Sequence, residues 1–160
     1  MQGLTTIIIT GTGATLVTDA WGLARRPLLG VPAPDYGLVG RWFGHMRHGR
    51  FHHAAIARAE PVTGERLIGW SAHYLIGIAF AALLVLLTGP GWLQAPTLAP
   101  ALLFGLATVA APFLLMQPGM GAGIAAARTP APGKARLHSL ITHAVFGLGL
   151  YLTATLISGV

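Results

Sequence analysis

The chain has 160 residues, 54% hydrophobic and only 9% charged, with a formal net charge of +6 and no cysteine, and its mean hydropathy is +0.67. Soluble domains carry about 25% charged residues, so this balance excludes an ordinary water-soluble globule. The missing cysteines exclude a disulfide framework, a thiolate metal site and a Cys nucleophile, and the ten basic residues lie between apolar segments, where anionic lipid headgroups are a nearer partner than nucleic acid.

Backbone groups in hydrocarbon must hydrogen-bond within their own segment, so the apolar runs read as helices, each needing about 20 residues to cross. Four spans are expected, at about 4–24, 67–88, 97–117 and 137–158, in a single membrane domain covering 1–160. The fold class is all-α, an integral membrane four-helix bundle. No basic residue precedes the first span, while Arg25 and Arg26 follow it. That polarity is wrong for a cleaved signal peptide and reads as a retained anchor.

A long basic loop, 25–66, comes next. It opens with the proline-rich RRPLLGVPAPDYG, which breaks helix, and continues as LVGRWFGHMRHGRFHHAAIAR. On a helical wheel Arg41, His45, His48 and His52 share one face while Leu38, Trp42, Met46 and Ile56 lie on another, the pattern of a short helix in the headgroup layer. His45, His48 and His52 also have a spacing that can present three imidazoles to zinc or a similar metal. The interleaved Arg41, Arg47 and Arg50 oppose a second cation and suit anionic lipid.

The second span starts RLIGWSAHYLIG and the fourth RLHSLITHAVFG, sharing a frame of Arg-Leu, five residues, His, three residues, Gly that places His73 and His143 in matching positions. Two parallel helix hairpins would produce that match, and so would chance. Within the third span, Pro112 is expected to kink the helix and free a carbonyl near Thr108. The stretch QPGMGAGIAAARTP then offers glycines 119, 121 and 123 ahead of Arg128, either as an anion-binding turn or as close packing.

Arg25, Arg26, Arg41, Arg47, Arg50, Arg58 and Arg66 fall in one loop, Arg128, Lys134 and Arg136 in another, and the loop 89–96 carries none. The positive-inside rule makes both basic loops cytoplasmic and both termini periplasmic.

Asp19, His73 and His143 fall about 8 to 10 Å inside one face of the bilayer at 1.5 Å per residue. Thr15 and Thr18 lie within about a turn of Asp19, and Gln117 closes the third span near the same surface. An intramembrane carboxylate needs a partner. One reading is a ligand or proton site of Asp19, His73, His143, Gln117 and Thr15, which would hold a proton, a divalent metal or a small anionic substrate. The other is interhelical hydrogen bonding with no ligand. Two opposed histidines also admit haem ligation, and Arg41, Arg47, Arg50, Arg128 and Arg136 are the expected contacts to lipid or anions.

The segments GTGATLVTD, GVPAPDYGLVGRWFGHMRHGRF, GERLIGWSAHYLIG, PTLAPALLFGLATVAAPFLLMQPGMGAGIAAARTP and HAVFGLGLY resemble those of a family of small bacterial membrane proteins known as domain of unknown function 2938. The resemblance implies a bacterial inner-membrane protein and carries no activity, ligand or catalytic residue. The expected function is a small transporter, channel subunit or ligand-binding membrane protein, working as a dimer if it transports. The alternatives are a membrane-embedded redox or metal-dependent enzyme using the same histidines, and an assembly factor without a site.

Overall fold

A computed structural model describes residues 2–159, whose regular elements are all helices, with no strand among them. Four helices are long and apolar enough to cross a membrane. They extend past the expected spans, because the amphipathic ends of a crossing helix keep their backbone bonds in the headgroup region. The first runs Gln2–Leu29, with Pro27 inside its last turn, and the second Glu65–Thr88. The third covers Leu98–Met120, and the fourth Pro132–Ser158 starts on a proline whose missing N–H would have no intrahelical partner there anyway.

At Pro112 the third helix leaves regular α-geometry. The third helix is α-helical over Leu98–Ala107, takes a π-helical turn at Pro112–Met116 in which the Gln117 N–H bonds the Pro112 carbonyl, and ends at Gln117–Met120 with Gly121 in the left-handed conformation. The wider turn bonds a following N–H, that of Gln117, one residue farther back than in an α-helix.

Contacts divide the chain into two compact units. One comprises Met1–Ala33, Tyr74–Thr108 and Ile141–Val160. Its core is Ala14, Ala81, Leu84, Trp92, Ala101, Phe146, Leu150 and Ala154, and Phe80 meets Phe104 and Phe146 edge-on at 6.2 and 6.0 Å. Small residues bring backbones together: a Cβ on Gly105 would lie 2.5 Å from the Gly147 Cα, and one on Gly11 would lie 2.5 Å from the Ile78 Cα. Lipid offers no hydrophobic drive between helices, so close van der Waals contact of this kind holds them. The outward side chains stay apolar, with Leu23 72%, Leu86 79% and Leu156 73% exposed.

The other unit comprises Pro34–His73 and Val109–Leu140. The loop helix appears at Tyr36–Met46, its first turn capped by the Asp35 carboxylate, which accepts from the Gly37 N–H. Gly40 packs against the Glu65 carbonyl and Gly69 against the Tyr36 carbonyl, so the loop helix and the start of the second long helix touch backbone to backbone. Trp42, 8% exposed, lies over Gly119 and donates its indole N–H to the Phe51 carbonyl at 2.8 Å. Glycine at 119 therefore serves as the seat for an indole ring.

Candidate functional site

In the first unit, two polar pairs sit among apolar neighbours. The Tyr74 hydroxyl donates to Asp19 Oδ2 at 2.8 Å. Asp19 is half-buried, and two threonines within about a turn of it on its own helix turn to the backbone: Thr15 donates to the Gly11 carbonyl at 2.8 Å and Thr18 to the Ala14 carbonyl at 2.9 Å. Those bonds fix the threonine rotamers and leave their oxygens able only to accept, which a carboxylate does not want. Tyr74 solves the problem from another helix, with a donor at the end of a rigid ring.

The second pair is Thr108 and His143. Thr108 Oγ1 lies 2.6 Å from the Gly105 carbonyl and 2.8 Å from His143 Nδ1. A carbonyl only accepts, so the threonine hydrogen points to Gly105 and the Thr108 oxygen must accept from His143 Nδ1–H. The neutral ring is thereby set in one tautomer, with Nε2 carrying the lone pair that can take a proton or ligate a metal. Thr108 is the C-cap residue of the α-helical stretch that ends at Ala107.

In the second unit, His73 stacks on Tyr36 at 4.1 Å between ring centroids and meets Trp70 edge-on at 5.9 Å. Tyr36 and Trp70 themselves lie 4.6 Å apart. Gln117 offers Nε2 to Ser139 Oγ at 3.5 Å, while its Oε1 is buried without a partner. Such an acceptor costs about 1–3 kcal/mol unless something donates to it.

Arg41, expected at the headgroups, is engaged within the protein. Its Nε and Nη2 bind the two Glu65 oxygens at 2.8 Å each, and Nη1 reaches the carbonyls of Ala59, Ala57 and Ile56 at 3.1, 3.3 and 3.4 Å. The hydrogen bond to Glu65, against the cost of burial, holds Arg41 above its ordinary proton affinity. A planar guanidinium with five donors suits this forked arrangement, and it fastens the turn Ile56–Arg58 to the loop helix. Arg47, Arg50, Arg128 and Arg136 are exposed, although Arg136 Nε also donates to the Ala125 carbonyl at 2.8 Å.

The loop histidines separate by environment. His48 and His52 are exposed, with Arg47 Nε donating to His48 Nε2 at 3.1 Å. His45 is 6% exposed and pairs with His53, Nδ1 to Nε2, at 2.8 Å. His53 was not among the expected residues, although it follows His52 directly. Among the described residues, no group of three or more His, Asp and Glu is placed to hold a metal ion.

Burial pushes His53 below its ordinary value of 6.5, against the pull of the Gly119 carbonyl and with His45, Arg50 and His52 adding to the decrease. A depressed histidine favours the folded form when neutral. Its contribution is complete above pH 6.5 and is lost as the pH falls toward the folded-state value. Docking of the loop should accordingly weaken in mild acid, read as faster proteolysis between Arg47 and Arg58 at pH 5 than at pH 7.5 with a protease of matched activity; equal rates would contradict it.

The family described as protein of unknown function (DUF2938) matches residues 8–157. No curated protein and no solved structure matches the chain.

Proposed function

The chain belongs to this family, and from that premise we propose that it is a bacterial inner-membrane protein that moves or binds a small solute with an intramembrane acid–histidine site. The observation that carries this reading is the Asp19 carboxylate, held by the Tyr74 hydroxyl at 2.8 Å in a helix with no other acidic residue. Ionisable groups at membrane depth cost several kcal/mol to place and typically mark ion or proton pathways. His143, with Nδ1 committed to Thr108, presents the second exchangeable proton position. The site can load a proton on either group and release it as the pathway opens. Thr15 remains part of the proposed lining, and exposed Arg47, Arg50, Arg128 and Arg136 contact anionic headgroups. Four spans make a thin wall for a pathway, so a homodimer is the simplest working form.

Proteoliposomes loaded with a pH-sensitive dye and driven by a potassium diffusion potential test this directly. Proton flux above that of empty vesicles is expected, and flux equal to background would remove the transport reading. The His143 lone pair also suits a metal or haem iron. A Soret band or stoichiometric metal in purified protein would favour the redox alternative.

Topology follows from the ten basic residues. Reporter fusions after Pro90 and Val160 should give periplasmic signals, and those after Arg58 and Pro132 cytoplasmic ones. A cytoplasmic carboxyl terminus would refute the four-span arrangement.

A further inference from the structure

His45 and His53 have no part in the proposed acid–histidine site and carry an accountable number of hydrogens. Their facing nitrogens are 2.8 Å apart, so one hydrogen lies between them. His45 Nε2 is 2.9 Å from the Glu60 carbonyl, which only accepts, so His45 Nε2 is protonated. In the neutral ring Nδ1 is then bare and accepts from His53 Nε2–H. A neutral His53 has now used its single hydrogen, and its Nδ1 faces the Gly119 carbonyl at 3.4 Å. That carbonyl already accepts the His53 backbone N–H at 2.9 Å.

The reverse neutral assignment would set a His45 lone pair against the Glu60 carbonyl at 2.9 Å. The long contact at Gly119 and the short one at Glu60 therefore identify which outer nitrogen lacks a hydrogen. Two neutral rings share two hydrogens over four nitrogens, and a third has one seat, at His53 Nδ1. A fourth would oppose two N–H groups across 2.8 Å.

We propose that His45 and His53 form a single-proton site, which takes one proton at His53 Nδ1 against the Gly119 carbonyl and admits no second while the rings stay paired. Occupancy places one positive charge where the loop meets Gln117–Met120, the end of the third long helix. The groups around it are Arg50 and His52 on the same loop segment, Arg47 and His48 after the loop helix, Arg41 on that helix with its charge paired to Glu65, and Glu60 with its exposed carboxylate. Gln117–Met120 brings no titratable side chain. Cations outnumber acids there, so the site fills only below the ordinary histidine range and responds to marked acidification of the compartment that bathes the loop.

The test uses the full chain labelled with 15N-histidine in detergent micelles, with ring signals assigned through the exposed His48→Gln and His52→Gln variants. Long-range nitrogen–proton correlations are followed from pH 8.5 to 4.5. At the alkaline end both rings should be Nε2–H tautomers. On acidification the pair should gain one proton, at His53 Nδ1, with His45 Nε2 protonated throughout. In His45→Phe, His53 should lose its fixed tautomer and titrate as an isolated imidazole. Uptake of two protons, uptake of none, or an Nδ1–H tautomer of His45 at pH 8.5 in the wild-type protein would each overturn the proposal, whether or not the variant folds.

Discussion

Asp19→Asn is expected to reduce proton flux to the background of empty vesicles while leaving the fold intact. Asparagine keeps the size of the side chain and can still accept from the Tyr74 hydroxyl that now lies 2.8 Å from Oδ2, but it cannot ionise. The companion change, Tyr74→Phe, removes the hydroxyl that donates to the carboxylate. A hydrogen bond to a charged group contributes about 1.5–3 kcal/mol, so this variant should lose stability as well as flux. Leu16→Ala, at a side chain 55% exposed toward lipid, serves as the control and should alter neither. Thermal unfolding in detergent separates the two effects. Wild-type flux in a well-folded Asp19→Asn protein would mean that the carboxylate is only interhelical glue, and the proposed site would fall with it.

The second large effect concerns backbone contacts that only glycine permits. A Cβ at position 40 would overlap the Glu65 carbonyl, and one at position 69 would overlap the Tyr36 carbonyl. Neither obstacle is a flexible side chain that can swing away, so the two helices must separate. Overpacking costs about 1–3 kcal/mol when side chains can adjust, and Gly40→Ala or Gly69→Ala should reach at least the upper end of that range. Gly105→Ala, with its added carbon 2.5 Å from the Gly147 Cα and 2.7 Å from the His143 carbonyl, should also disturb the Thr108–His143 bond. Position 133 has nothing within 4 Å, and Gly133→Ala near the start of the fourth long helix should be neutral or stabilising by about 0.4–1 kcal/mol. Equal unfolding temperatures across these variants would show that the close approaches are not what holds the helices.

Much of the architecture was legible because the constraint behind it is local. A run of apolar residues long enough to cross a bilayer must satisfy its own backbone, and helices do so without reference to the rest of the chain. The effect of Pro112 was legible for a similar reason, since the missing N–H is a property of one residue, although the form it takes, a π-helical turn, depends on how the following residues repack. Asp19 was legible as a group needing a partner. The Tyr74 hydroxyl that donates to it was not, because residue type ranks the neighbouring His73 higher and a sequence does not fix which side chains of the second long helix come within bonding distance.

The loop histidines divide along the same line. Spacing marked His45, His48 and His52 as sharing a helical face, which would hold had the helix continued. It ends at Met46, and the chain beyond turns back so that His53, rather than His48 or His52, reaches His45. Arg41 likewise shares a face with basic residues by periodicity, yet Glu65, distant in sequence, takes its guanidinium. By itself the sequence determined the all-helical class, the four long apolar helices and the presence of ionisable groups within or beside them, since these follow from residue type and local backbone chemistry. Tertiary structure alone decided the pairings Asp19–Tyr74, Thr108–His143, Arg41–Glu65 and His45–His53, because a hydrogen bond requires two groups within about 3 Å and that distance is set by helix rotation, chain reversal and the glycines that let backbones touch.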